Sequence, residues 1–445
     1  MRNPTKTRLC LLLLLSGLLA LSACTARAAQ VKLGVALTHP TLLADKKQTT
    51  YLKIALTGFP WAEKARRTPV NVAIVIDRSG SMSGRKIEKA KEAAIMAIDR
   101  LSPTDIVSLV AYDDTISVLV PATRASDTAG IHAAIRRLEP GNTTALFAGV
   151  SKGAAEVRKF LDKHRANRVI LLSDGIANVG PSCPAQLGEL GASLIKEGIS
   201  VTTIGLGSDY NEDLMTQLAR KSDGNHYFAE GPEDLARIFK GEFGDVLSVC
   251  AQEVSVEIKC ADGIRPVRLV GREGDITGQT ITVALNQLYS DQEKYIVAEV
   301  EVPPSENGST RDIAGVRVTY ANMATRTTDK LASSVAARFT KAQELVEKSL
   351  NPAAMVSAVE QIATDRNRVA VALRDAGKID EARKLLNDNS LFLLDNATRF
   401  NSARLKDYGF ANDKDAQNLD AQKWNDQRKL MRAYQEYNAS QQYCK

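Results

Sequence analysis

Hydrophobic positions change their period several times along this chain. Residues 70–76 form a nearly continuous apolar run, as expected of a strand buried on both faces of a parallel sheet. Residues 84–101 follow with Ile87, Ala90, Ala94, Ile98 and Leu101 at helical spacing. The alternation continues with strands at 106–112 and 116–120, then helices near 128–138 and 145–161. A buried strand at 168–172, a helix at 185–196, a strand at 200–206 and a helix at 212–220 come next, and 225–229 and 233–246 close the series. Repeated strand–helix alternation over residues 69–249 predicts a doubly wound α/β domain.

The flanks read differently. Residues 31–37 and 51–56 are short β-like segments joined by a polar connection, and 60–67 resemble a linker. Residues 251–322 are β-like again at 254–258, 280–285, 295–302 and 316–320, punctuated by Gly263, Gly271, Gly274 and Pro303-Pro304. An isolated two-stranded ribbon is marginal in water. Residues 31–58 are therefore expected to join 251–322 in one β-sandwich, with the α/β domain inserted between them. From 331 to 445 the chain reads as helical, with segments at 334–350 and 352–376. Residues 372–386 fit an αα-hairpin, and the polar stretch 404–422 reads as a link to a last helix near 423–437.

Composition excludes whole classes. With 445 residues, 44% hydrophobic and 25% charged, neither global disorder nor a multi-span membrane protein is expected. The formal charge of +6 owes three positive residues, Arg2, Lys6 and Arg8, to the extreme N-terminus. No basic stripe with interleaved aromatics supports nucleic-acid binding.

Residues 1–24 read as an export signal: the positive residues are followed by the apolar run 9–20 and then by small residues. Leu21-Ser22-Ala23-Cys24 resembles the lipobox of bacterial lipoproteins, which implies that Cys24 is the lipidated first residue of the mature chain. Cleavage after Ala26-Arg27-Ala28 is the alternative and would release a soluble protein. Thr25, rather than Asp, after the cysteine implies anchoring in the outer membrane. The expected address is thus the periplasm or cell surface, on a lipid tether. Of the remaining cysteines, Cys183, Cys250, Cys260 and Cys444, the pair Cys250/Cys260 brackets an extended strand. Ten residues of strand span about 30 Å, whereas a disulfide needs Cα atoms within about 7 Å.

The candidate chemistry sits at the ends of the predicted strands. Asp77-Arg78-Ser79-Gly80-Ser81 follows the run 70–76, Asp174-Gly175 ends the strand at 168–172, and Thr143-Thr144-Ala145-Leu146 opens the helix at 145–161. Ligands of open α/β sheets bind beyond the carboxyl ends of the strands. Two carboxylates and three hydroxyls are the hard oxygen donors that Mg²⁺ or Ca²⁺ prefers. The small, hydroxyl-rich set favours Mg²⁺, with Ca²⁺ or Mn²⁺ as alternatives. Read alone, Asp77-x-Ser79-x-Ser81 could be a turn with capping hydroxyls. Three such motifs in order argue against that.

Together these motifs resemble the metal-ion-dependent adhesion site of von Willebrand A domains, and the resemblance spans roughly residues 69–249. It implies Ser79, Ser81 and Thr144 as direct metal ligands, with Asp77 and Asp174 binding directly or through water. Thr143 competes with Thr144, but the following Ala-Leu suits the family's spacing better from Thr144. The wider chain is similar to bacterial exported proteins labelled chloride-channel-like or inter-alpha-trypsin-inhibitor-like, through Asn211-Glu212-Asp213-Leu214-Met215 and Ser222-Asp223-Gly224-Asn225-His226. The implied fold is a von Willebrand A (Rossmann-like) domain inserted into a β-sandwich, followed by a helical C-terminal region. The implied function is metal-dependent binding of a protein partner that presents an acidic side chain.

Other chemistry finds no foothold. His39, His132 and His164 read as ordinary polar positions and His226 as structural, while Asp113-Asp114 reads as a solvated strand-end turn. The sequence holds no HExxH zinc motif, no GxSxG elbow with a Ser/His/Asp order and no P-loop. A non-enzymatic module is expected; the alternatives are a scaffold stabilised by its metal and an envelope hydrolase.

Overall fold

The computed structural model describes residues 29–61 and 67–442. The export signal expected at residues 1–24, with Cys24, most of the linker at 63–67 and Cys444 lie outside the described residues. Strands β1 (Lys32–Leu37), β2 (Thr41–Leu43) and β3 (Gln48–Thr57) come first. The central unit holds β4 (Val70–Asp77), β5 (Ile106–Tyr112), β6 (Ile116–Arg124), β7 (Ala166–Ser173), β8 (Ile199–Leu206) and β9 (His226–Ala229). After it come β10 (Val249–Cys260), β11 (Arg265–Val270), β12 (Asp275–Thr277), β13 (Thr280–Tyr289), β14 (Glu293–Val302), β15 (Thr310–Asn322) and β16 (Thr328–Thr340).

The central sheet runs in the order β6-β5-β4-β7-β8-β9. Its strands are parallel except β6, which returns antiparallel to β5. Every residue of β4, β5, β7 and β8 is buried, which is why these segments are so rich in apolar residues. Helices cover both faces. Arg85–Ile98, Thr128–Arg136 and Asp234–Leu247 bury Ile87, Ile135 and Phe239 on one side. Leu146–Arg158, Pro184–Lys196 and Glu212–Lys221 bury Val150, Leu187 and Leu218 on the other.

The flanking strands form one sandwich. Its sheets run β1-β3-β14-β11 and β12-β13-β10-β15-β16-β2. β3 lies antiparallel to β14, with Ile54 opposite Ile296, and β2 pairs in parallel with β16. Leu52, Ile54 and Leu56 of β3 share one core with Val254, Val256 and Ile258 of β10. The α/β unit is thus inserted between β3 and β10. Cys250 and Cys260 lie near opposite ends of β10 and are free, as is the exposed Cys183.

Two sequence-based expectations need correction. Residues 334–350 are not one helix: β16 continues to Thr340, and only Gln343–Lys348 is helical. Leu331, Val335 and Phe339 recur every four residues, which satisfies a helix, yet every fourth residue also falls on one face of a strand. Exposure along β16 alternates strictly, so the period of two prevails. The polar stretch 404–422 is not a link either, because Ala403–Gln417 is a helix capped by Ser402, whose hydroxyl accepts from the Leu405 N–H at 3.3 Å. It reads as polar because its buried face carries Asn412 and Asp415. With Pro352–Asp375, Ile379–Phe400 and Trp424–Ser440 it builds the helical C-terminal region. That region docks on the α/β unit through Lys429, whose ammonium lies 2.9 Å from Glu212, and Arg432, 2.9 Å from Asp213. Among the described residues no helix is long and apolar enough to cross a membrane.

Candidate metal centre

Three loops at the carboxyl edge of the central sheet bring the five predicted residues together. Asp77 ends β4, and the chain then turns through a short 3-10 helix at Gly80–Met82 that carries Ser81. Asp174 follows β7 directly, and Thr144 sits just before the helix Leu146–Arg158. The Gly80 N–H donates to the Asn142 carbonyl at 2.9 Å, which pins the first loop to the second. The third loop is sewn to Thr144: the Asn178 and Val179 N–H groups donate to its carbonyl, and the Asn178 side chain accepts from its N–H at 2.9 Å.

The hydroxyls converge over Gly175. A side chain there would place its Cβ 3.1 Å from Thr144 Oγ1, 3.5 Å from Ser81 Oγ and 3.7 Å from Ser79 Oγ. Ser79 and Ser81 Oγ are 3.1 Å apart, and Ser81 Oγ donates to Asp174 Oδ1 at 2.7 Å. Thr144 is buried while Thr143 is exposed, so Thr144 is the threonine that faces the cradle. Both carboxylates are fully buried. Asp77 accepts from the Ser79 N–H at 2.8 Å and from Ser173 Oγ at 2.6 Å. Burial nevertheless dominates and pushes the Asp77 carboxyl above its ordinary pKa.

Three neighbours were not foreseen. Ser173 braces Asp77, Asn178 braces Thr144, and the Lys86 ammonium ion-pairs with Asp174. Lys86 carries the one signal that a sequence could have shown, a cation in the first turn of a helix, where the dipole disfavours positive charge. Asp113 needs correction, because it is not solvated but almost wholly buried. It lies 3.1 Å from Arg78 Nη2 and accepts from the Thr115 N–H at 2.8 Å. Against a desolvation that would raise it, the bonds from Thr115 and the charge of Arg78 hold its carboxyl below the usual range. It shapes the loop after Asp77. His226 is buried, its Nδ1 2.9 Å from Thr203 Oγ1, and burial lowers its pKa to about 4, which fits a structural role. His132 contacts Asp99 at 3.0 Å.

The donor set suits a hard divalent cation: hydroxyl and carboxylate oxygens surround a space kept open by a missing side chain. Among the described residues no group of three or more His, Cys, Asp or Glu side chains could hold a metal, so this mixed set stands apart.

Residues 71–240 match the family model for the von Willebrand factor type A domain. The match falls within the inserted α/β unit, which therefore carries a von Willebrand factor type A domain. Among curated proteins it is 29% identical over 242 residues to the Uncharacterized protein sll0103 of Synechocystis, covering 52% of this chain and 57% of that one. It is 31% identical over 170 residues to human inter-alpha-trypsin inhibitor heavy chain H3, covering 36% of this chain and 19% of that one. The chain therefore spans little more than half of the first relative and a fifth of the second. The solved structure of a von Willebrand factor type A protein from Catenulispora acidiphila shares the fold over 88% of this chain and 91% of its own, with a TM-score of 0.71 at 18% identity.

Proposed function

We propose that this protein is a metal-dependent protein-binding module of the bacterial cell envelope, not an enzyme. The observation that carries this reading is the convergence of Ser79, Ser81 and Thr144 on the space above Gly175, flanked by Asp77 and Asp174. Ser79, Ser81 and Thr144 would hold a divalent cation, Mg²⁺ by preference, and the two carboxylates would support it. Because hydroxyls leave much of its charge uncompensated, a bound cation supplies an electrophilic position for an acidic side chain of a partner. The loop after Asp174 supports a partner site, since Ile176 is 61% exposed and Val179 is 38% exposed beside the cradle. Ile176 also borders a cavity of about 430 Å³ shared with Tyr210, Asn425 and Arg428, so the helical region adjoins the same face. The export signal and Cys24 support delivery to the envelope on a lipid anchor, with the outer membrane as destination.

The test is capture of envelope proteins on the immobilised protein in Mg²⁺, in EDTA and with Asp77→Ala. Partners should bind in Mg²⁺ alone. Capture that persists undiminished in EDTA and with Asp77→Ala would leave the metal a stabilising role only. Labelling with a radioactive fatty acid, compared with Cys24→Ser, tests the anchor.

A further inference from the structure

The two buried carboxylates of the site are not equivalent. Asp77 is met by neutral donors: the Ser79 N–H at 2.8 Å, Ser173 Oγ at 2.6 Å and Tyr112 OH at 3.4 Å. Asp174 already has a counter-charge within the fold, the ammonium of Lys86 on Oδ2, while Oδ1 accepts from Ser81 Oγ at 2.7 Å. Lys86 is 28% exposed and Asp174 is wholly enclosed, so the pair is screened far less than a surface pair. Its Nζ lies 4.0 Å from where a Cβ on Gly207 would stand, against the turn that follows β8. Lys86 also holds this place against local electrostatics. It is the second residue of the helix Arg85–Ile98, where the amide dipoles disfavour a cation.

We propose that Lys86 is a fixed internal counter-charge that weakens the site's intrinsic hold on its metal and makes retention of the metal depend on the partner's carboxylate. This rests on the reading of the cradle as a metal site. Asp77, Asp174 and Lys86 together carry one negative charge, so a divalent cation leaves the centre with a net positive charge. Without Lys86 the same centre would be neutral. One oxygen of Asp174 is committed to the ammonium, which makes it a poor direct ligand. The partner's acidic side chain then completes the neutralisation that Lys86 prevents the protein from achieving alone. Metal and partner must bind cooperatively, and by linkage each raises the other's affinity by the same factor. Lys86 is a positioning residue that acts through Asp174.

Calorimetric titration of the full chain with Mn²⁺ tests this, comparing wild type, Lys86→Met and Lys86→Arg. Removing a unit charge a few ångströms from a partly buried divalent ion should tighten binding about tenfold or more. Lys86→Met should therefore bind Mn²⁺ at least that much tighter, while Lys86→Arg stays near wild type. A merely structural lysine predicts the opposite sign, because its loss would loosen the site. Mn²⁺ affinity in Lys86→Met that is unchanged or weaker overturns the proposal. A second arm needs no variant: acetate, as a stand-in for the partner's carboxylate, should tighten Mn²⁺ binding to wild type relative to nitrate at equal ionic strength. No difference between the two salts also overturns it, and this arm decides if Lys86→Met does not fold. If neither wild type nor a folded Lys86→Met takes up Mn²⁺ at millimolar concentrations, with acetate present or absent, the metal-site reading itself fails; if wild type binds and Lys86→Met binds no tighter, only the role of Lys86 fails.

Discussion

Arg168 Nη1 stands 2.6 Å from Glu242 Oε1, and both side chains are wholly buried. Arg168 lies on β7, the strand that leads into Asp174, and Glu242 on the helix Asp234–Leu247. The guanidinium also reaches Tyr289 OH at 2.8 Å, on sandwich strand β13, while Glu242 Oε2 accepts from Asn225 at 2.7 Å. Inserted domain and sandwich thus share one buried charge network. Arg168→Met strands the Glu242 carboxylate without its partner and should cost about 3–5 kcal/mol. The double variant Arg168→Met/Glu242→Gln should recover much of that loss. Urea unfolding of both single variants and the double variant measures this; a double loss equal to the sum of the two single losses would show that the pair is not coupled.

Gly175 should be intolerant for a reason local to the site. Gly175→Ala places a methyl 3.1 Å from Thr144 Oγ1, inside the space between the hydroxyls. Mn²⁺ affinity should fall by about tenfold or more, the equivalent of roughly 1.4 kcal/mol, with the circular dichroism spectrum unchanged. Full affinity in Gly175→Ala would move the metal away from this cradle.

Metal should stabilise the fold by mass action. At a free Mg²⁺ concentration of roughly 100 times Kd, the gain is about 2.7 kcal/mol. It should appear as a rise in Tm that EDTA reverses. Asp77→Asn keeps the size of a side chain that braces Ser79 and removes its charge. It should abolish the metal-dependent shift.

The helical region carries a pH-dependent term. Asp415 is almost fully buried and accepts from Asn367 Nδ2 at 3.1 Å and Gln427 Nε2 at 2.6 Å, neutral donors both. Burial raises its pKa to about 7. A carboxyl raised in the folded state binds its proton there more tightly than in the unfolded chain. Its contribution to stability is therefore full below its ordinary value near 4 and declines as pH rises to about 7. Asp415→Asn should remove that slope and stabilise the protein at pH 8 by up to a few kcal/mol, on the order of the linkage for a shift of this size. Urea midpoints at pH 5 and pH 8 give the comparison; a wild-type midpoint that does not fall between them refutes it.

The legibility of this chain follows what each element buries. β4 and β7 are sealed on both faces, so the runs 72–76 and 169–172 within them are apolar throughout and announce a parallel sheet. The candidate site is legible because Asp77 and Asp174 fall at strand ends and Thr144 just before a helix, in a fixed order. The sequence of β16 reads as helical because apolar residues four apart suit both periods, and Ala403–Gln417 reads as a link because its interior face is polar. Ser173 and Asn178 act through neighbours distant in the chain, so no local pattern marks them, and Lys86 shows only its place in a first helical turn. Asp113 reads as solvated because Arg78, its ion-pair partner at 3.1 Å, lies far from it in the chain.

The pairing of β3 with β14 constrains the order of assembly. As the chain emerges from its N-terminus, β1 and β3 can zip together at once, but the far edge of β3 must wait until residues 293–302 arrive. By then the whole sequence of the inserted domain is already out. The inserted unit can fold before the sandwich that flanks it is complete, and β14 then covers the waiting edge of β3. A truncation after the insert would leave β3 with an open edge, a ready template for aggregation.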